Sequence, residues 1–261
     1  MNVIVCIKQV PDTTNVRIDP ETNTLIREGV ESIINPFDAY AIEEAVRIRE
    51  RVGGKVTVLT MGPPQAENAL REAISLGVDE AILLSDRAFA GSDTWATSLA
   101  LASAIKKIGD YSLIICGKQA IDGDTAQVGP GIAVHLNIPQ ITFVKKIEEI
   151  DEKKLRAERM MEEGYQVVES RLPALITVVK EINEPRLPSL KGKIRAKKAE
   201  IPVWKLNDTD VSEEEVGLNG SPTVVKKIFT PPKRAGGRKL EGEVSEIVNE
   251  LIEELHLKNL I

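Results

Sequence analysis

Glycines, small residues and carboxylates crowd one stretch of the chain, Cys116-Gly117-Lys118-Gln119-Ala120-Ile121-Asp122-Gly123-Asp124-Thr125-Ala126-Gln127-Val128-Gly129-Pro130-Gly131. It begins where the apolar run Leu113–Cys116 stops and leads into a helical pattern. Gly117, Gly123, Gly129 and Gly131 allow backbone to come close to a ligand. Thr125 is placed to cap the new helix. The free N–H groups and the dipole at such a helix start make a site for a phosphate or pyrophosphate. Asp122 and Asp124 would repel a phosphate if aimed at it. They read instead as groups that cap N–H donors, order the loop or accept from a ribose hydroxyl. A plain strand–helix connection accounts for any one of the glycines. Gly129-Pro130-Gly131 at a helix start is locally unfavourable, however, and such conflicts gather at functional sites.

Four shorter segments join it. Ile7-Lys8-Gln9-Val10-Pro11-Asp12 follows the first strand, and Lys8 can meet a phosphate or an electron-rich ring, although alone it reads as a solvated lysine. Asn35-Pro36-Phe37-Asp38 reads as a helix N-cap with Asp38 in the first turn. Met61-Gly62-Pro63-Pro64 follows the second strand and can touch a base or ring edge. Gly91-Ser92-Asp93-Thr94-Trp95-Ala96-Thr97 opens a helix on which Thr94 and Thr97 lie one turn apart, able to face one ligand. Trp95 and Leu99 are assigned to the core, and His135 to an apolar helix face.

Much else is excluded. There is no G-x-G-x-x-G and no G-x-x-x-x-G-K-[ST]. Two cysteines, Cys6 and Cys116, and two histidines, His135 and His256, cannot build a zinc or iron–sulfur site from this chain alone. No nucleophile with its base and no paired-carboxylate hydrolase site is legible. The net charge of −6 argues against binding nucleic acid by bulk charge. With 3% aromatic residues, a base-stacking platform is not expected. No apolar run approaches 18 residues. The chain opens directly on a strand-like segment with no basic leader, so a cytoplasmic protein is expected.

The elements that must position these residues are periodic. Val3–Ile7, Val56–Thr60, Glu80–Leu84 and Leu113–Cys116 read as buried parallel strands. Helical patterns run between them over about Phe37–Val52, Gln65–Leu76 and Thr94–Ile108, the last with Trp95, Leu99, Ala102 and Ile105 in register. The alternation predicts an open, mainly parallel α/β sheet with ligands outside the carboxyl ends of its strands. From Ile141 shorter strands follow, Ile141–Val144, Tyr165–Glu169 and Leu175–Val179, with Glu148–Lys154 as a connection. Beyond Glu184-Pro185-Arg186-Leu187-Pro188 the chain is poor in apolar residues until an amphipathic helix at about Val244–Leu255. Such a tail cannot bury a core of its own, and must wrap this domain or pack on another chain. A plain α/β domain would leave Val203, Trp204, Ile228 and Phe229 uncovered.

Three segments in order carry a resemblance that spans essentially the whole chain: Val5-Cys6-Ile7-Lys8-Gln9-Val10-Pro11-Asp12, Gly117-Lys118-Gln119-Ala120-Ile121-Asp122, and a region from Ala157-Glu158-Arg159 through Met161-Glu162-Glu163-Gly164 and Gln166 to Leu172-Pro173-Ala174-Leu175-Ile176-Thr177. In these the sequence resembles the beta subunit of electron transfer flavoproteins. The resemblance implies an adenine-nucleotide-binding, Rossmann-like α/β domain over residues 1–185. It also implies a C-terminal arm, 186–261, that packs on an alpha subunit carrying the electron-transferring FAD. Simple members of the family bind AMP in the beta chain, whereas bifurcating members hold a second FAD there that accepts hydride from NADH. Asp122-Gly123-Asp124-Thr125-Ala126-Gln127-Val128-Gly129-Pro130 is similar to the bifurcating type, with Gly123, Ala126 and Gly129 leaving room for a pyrophosphate.

The implied function is oxidation of NADH. Electrons then divide between the alpha-subunit FAD and a low-potential acceptor such as ferredoxin or flavodoxin, with a dehydrogenase as a further partner. Cys116, Gly117 and the loop Asp122, Gly123, Asp124, Thr125, Ala126, Gln127, Val128 and Gly129 would hold the pyrophosphate and ribose. Cys6, Ile7, Lys8, Val10, Pro11 and Asp12, with Met61, Thr94 and Thr97, would lie near the flavin or adenosine, and Asn35 and Asp38 beside them. Two alternatives stay open: a non-bifurcating electron carrier with structural AMP, and a nucleotide-binding α/β domain with no redox role.

Overall fold

The computed structural model describes residues 1–12, 17–18, 25–26, 32–226, 237 and 239–261. Ile228 and Phe229 lie outside them. The strands are β1 Asn2–Cys6, β2 Gln9–Pro11, β3 Arg17–Ile18, β4 Leu25–Ile26, β5 Ser32–Ile34, β6 Lys55–Met61, β7 Glu80–Leu84, β8 Leu113–Gly117, β9 Gln140–Ile150, β10 Lys154–Met161, β11 Gly164–Arg171, β12 Ala174–Val178 and β13 Val203–Trp204. The helices are α1 Pro36–Val52, α2 Glu67–Leu76, α3 Thr94–Ile108, α4 Val128–Leu136, α5 Leu190–Lys198 and α6 Val244–Leu257.

Nine strands form one sheet in the order β11-β10-β9-β12-β8-β1-β6-β7-β13. From β9 to β13 every neighbouring pair is parallel, and only the β9-β10-β11 edge is antiparallel. Alternation along β1 sorts its side chains into two cores. Val3 and Val5 pack with α1 and α2, while Ile4 and Cys6 pack with α3 and α4. Burial on both faces is why these strands read as continuous apolar runs. The open α/β sheet expected from the alternation is therefore present.

The antiparallel edge corrects the expected short strands and connection. Glu148–Ile150 belongs to β9, and only residues 151–153 separate it from β10. Charge disguised these strands. Lys146 pairs with Glu158 at 3.0 Å, Arg156 with Glu148 at 2.9 Å and Lys154 with Glu169 at 2.9 Å, all across neighbouring strands. Oppositely charged cross-strand pairs stabilise a solvated sheet face without apolar residues.

Helix α3 also departs from expectation. Trp95 is 52% exposed and Leu99 only partly buried, while Ala96, Ala100 and Ala104 are fully buried. The small residues face the sheet because α4 packs close by: a Cβ on Gly131 would lie 2.8 Å from the Ser98 Cβ. Trp95 stands edge-on to His135, ring centroids 4.6 Å apart. The His135 imidazole is held below its ordinary pKa by burial and by the charge of Lys106.

The segment after residue 186 divides in two. Its first part wraps this domain. Helix α5 lies on α2, with Arg195 donating to the carbonyls of Ile74 and Val78 and Arg71 to that of Ala196. Strand β13 extends the sheet beside β7, and Val216 is buried at 1% exposure. The last part differs: none of α6 is buried, and Val244, Val248, Leu251, Ile252 and Leu257 stand exposed. No helix among the described residues is long and apolar enough to cross a membrane.

Where the first part ends, it is tied to α3. The Asp93 carboxylate accepts from the Trp95 and Ala96 N–H groups as N-cap, and also from the Thr223 N–H and hydroxyl. The Asp93 N–H donates to the Ser221 hydroxyl at 2.8 Å. Burial pushes the Asp93 pKa up, but the Thr223 and helix N–H bonds outweigh it and hold the group below its ordinary value. Its stabilising contribution is therefore present above the ordinary aspartate pKa and lost as pH falls through the depressed one. Asp93→Ala is expected to cost about 0.5–2 kcal/mol for the cap and to free residues 221–223. Calorimetry and limited proteolysis of this segment, run side by side, check the two parts.

Candidate functional site

The chain leaves β1 toward α1 on one face of the sheet and leaves β8 toward α4 on the other. Because β1 and β8 are neighbours, the sheet's topological switch point lies between their carboxyl ends. Ligands of open α/β sheets bind in the crevice such a divergence opens. Its floor is Cys6 and Cys116, register partners and both buried, followed by Ile7-Lys8 and Gly117-Lys118. The Cys6 thiol, which hydrogen-bonds to it, and burial hold the Cys116 thiol well above its ordinary pKa, so it is no thiolate nucleophile.

The structure draws most of the sequence candidates to this crevice. β2 pairs with β5 (Val10 with Ile33, Pro11 with Ser32), which brings Asn35 back to β1, where its N–H donates to the Lys8 carbonyl at 2.9 Å. Val10 is buried in the core, so its side chain is structural. The Lys8 ammonium, read alone as a solvated lysine, is paired with both oxygens of Asp122 at 2.7 Å. The Gln119 amide donates to Asp124. Met61 lies at the carboxyl end of β6, partly buried against the α3 side of the core. Thr94 donates to the Gln127 side chain at 3.1 Å, tying the start of α3 to the loop. The Thr97 N–H donates to the Asp93 carbonyl at 2.9 Å in the first turn of α3, and its side chain is partly buried.

Three expectations are corrected. Asn35 does not cap α1 with its side chain. Its amide instead crosses to the loop, donating to the Gln119 carbonyl at 2.9 Å and accepting from the Ile121 N–H at 3.1 Å. Asp38 does not merely sit in a first turn: it is buried, and accepts from the Lys8 N–H at 2.7 Å. Thr125 does not cap α4, whose N-cap residue is Gln127 with no side-chain capping bond. The α4 start thus keeps its N–H groups free of side-chain competitors, unlike the start of α3.

The glycines separate by what surrounds them. A Cβ on Gly117 would fall 2.7 Å from the Phe37 carbonyl carbon and against an Asp38 oxygen, and one on Gly129 would fall 2.8 Å from the Thr177 methyl. Close packing of α1 and α4 requires both. A Cβ on Gly123 would meet nothing within 4 Å, so this glycine faces open space. Asp124 (φ 53°) and Ala126 (φ 55°) hold left-handed backbone that non-glycine residues rarely adopt. Strain of that kind persists where surrounding structure fixes a ligand-clamping loop. Sequence reasoning missed Gln119, and also Thr60, whose hydroxyl donates to the Ile7 carbonyl at 2.7 Å and fixes the end of β1. The signal for the latter was a threonine inside an apolar strand, which Thr57 offers as well.

What the residues offer is a cradle rather than a reaction centre: an uncapped helix start, small residues at 123, 126 and 129, and carboxylates already tied to Lys8 and Gln119. Fold and crevice define an open α/β protein of the adenine-nucleotide-binding, Rossmann-like type. The model of the electron transfer flavoprotein domain matches residues 22–209, and the chain belongs to the electron transfer flavoprotein family. Its relatives place it on the beta-subunit side. It is 55% identical over 262 residues, the whole of both chains, to a protein of Thermoanaerobacterium thermosaccharolyticum named electron transfer flavoprotein subunit beta. It is 51% identical over 263 residues, again all of both chains, to the caffeyl-CoA reductase-Etf complex subunit CarD of Acetobacterium woodii. To protein FixA of Bradyrhizobium diazoefficiens it is 50% identical over 264 residues, covering 98% of this chain and 92% of that one. Membership implies electron transfer in company with an alpha subunit.

Proposed function

We propose that this chain holds FAD in the crevice between β1 and β8. Together with its alpha subunit it would accept hydride from NADH and pass electrons singly to the alpha-subunit FAD and to a low-potential acceptor such as ferredoxin or flavodoxin. The observation that carries the reading is the uncapped start of α4 beside the open Gly123. Free helix-start N–H groups suit a diphosphate, and the space at 123 admits the chain leading from it to a ring. Bound FAD supplies the redox chemistry, as cofactors do. The protein residues bind and orient: the amides of 125–129 take the diphosphate, Asp124 would accept from a ribose hydroxyl, and Lys8, tied to Asp122, offers a cation near the diphosphate. Residues 186–226 brace the domain, and the exposed apolar face of α6 packs on the alpha subunit.

Cofactor extraction from the purified heterodimer tests the reading. Two FAD and no AMP per heterodimer are expected. One FAD and one AMP would overturn it in favour of a non-bifurcating electron carrier.

A further inference from the structure

The Asp38 carboxylate is buried at the root of the crevice, with the Asn35 side chain as a hydrogen-bond partner. It accepts from the Lys8 N–H at 2.7 Å, and the Gly117 N–H points at the same carboxylate. Lys8 lies two residues beyond the end of β1, and Gly117 is the last residue of β8, the two strands that define the switch point. Asn35, one turn earlier, holds the Gln119 carbonyl and the Ile121 N–H. Two adjacent side chains of the α1 start therefore fix four backbone positions, 8, 117, 119 and 121, from which the loop springs. Gly117 has no room for a Cβ because Asp38 and Phe37 fill that space.

We infer that Asp38 is a positioning residue which, in its ionised form, pins the ends of β1 and β8 and so makes the nucleotide affinity of the 122–129 loop depend on a proton. The inference rests on that loop being the nucleotide site, whichever nucleotide it takes. The carboxylate accepts from both N–H groups as charge-assisted hydrogen bonds. Protonating it leaves weaker acceptors and adds an O–H donor beside the two N–H groups, so the pins loosen.

The group titrates in an accessible range. Burial raises its pKa to about 7, against the opposing pull of Asn35, the Lys8 and Gly117 N–H groups and the Lys8 charge. The other ionisable groups facing it are the Cys6 and Cys116 thiols on the strands, Asp122 paired to Lys8, and Lys118 beside Phe37. Because the folded pKa lies above the unfolded one, this group favours folding at acid pH, and that contribution is lost as pH rises through about 7. Affinity and stability should therefore move in opposite directions with pH, which a purely structural residue would not produce.

The test is titration of the cofactor-stripped heterodimer with FAD and with AMP between pH 6 and 8.5, in wild type, Asp38→Asn and Asn35→Ala. The wild type should bind about tenfold more weakly at pH 6 than at pH 8, the factor one proton gives one unit below its pKa. Asp38→Asn should bind weakly throughout, with the Asp38 part of the pH dependence gone, and its melting temperature relative to wild type should climb from pH 6 to 8. Asn35→Ala should weaken binding and keep a pH dependence whose midpoint moves upward, because the Asn35 hydrogen bond that lowers the Asp38 pKa is gone. If Asp38→Asn does not fold, the FAD profile of the wild type decides, since the diphosphate keeps its charge over this range. A flat wild-type FAD profile, or an Asp38→Asn profile that matches wild type, overturns the inference. Retention of AMP instead of FAD, with the Asp38 effects intact, would overturn the proposed function and leave this inference standing.

Discussion

Gly117→Ala is expected to lower the stability of the heterodimer by about 1–3 kcal/mol, the usual cost of forcing a methyl into filled space, and to weaken nucleotide binding with it. The added carbon would sit 2.7 Å from the Phe37 carbonyl carbon and against an Asp38 oxygen. Neither neighbour can yield cheaply, since one is backbone in the first turn of α1 and the other is a carboxylate already hydrogen-bonded to Lys8. Relief requires α1 to move off β8, and Asn35, which holds the loop at 119 and 121, moves with it. Calorimetry should show a fall of several degrees. An unchanged melting temperature would mean that the crevice root is not as tight as the geometry makes it.

Gly123→Val should do the reverse. The Cβ has nothing within 4 Å to strike, so stability should stay within about 0.5 kcal/mol, as for an unconstrained surface change. The branched side chain would instead stand in the space assigned to the diphosphate and its linker, and FAD affinity should fall about 100-fold, or ~2.7 kcal/mol. Melting of the cofactor-free heterodimer and equilibrium titration with FAD separate the two effects. Wild-type affinity in this variant would remove Gly123 from the binding surface. The pair divides glycines that look alike in sequence into one kept for the fold and one kept for the ligand.

That division shows what a sequence can and cannot convey. Helices α1, α2 and α3 and the buried strands were legible because apolar periodicity and end signals such as Pro36, Gly53, Gly77 and Gly109 act locally. The edge hairpin was not, because Lys146, Glu148, Arg156 and Glu158 form their stabilising pairs across strands whose register the sequence does not display. Trp95 looked like core because it is apolar and in phase, but α4 packs close to the first turns of α3, where the buried residues are Ala96, Ser98 and Ala100, and Trp95 is left 52% exposed. The loop 117–129 announced itself by composition. The reasons for its glycines did not, since those depend on Phe37, Asp38 and Thr177, distant in sequence. Asn35 offered a local cap as its simplest use, and a tertiary bond to Gln119 and Ile121 prevailed instead.

The most direct trial of the account is a crystal structure of the heterodimer purified with its native cofactors. A second FAD is expected, its diphosphate within hydrogen-bonding distance of backbone N–H groups in residues 123–129, with Asp38 still bound to Lys8 and Gly117 beneath it. A mononucleotide alone at that loop, or a flavin whose diphosphate is held elsewhere on the chain, would contradict it.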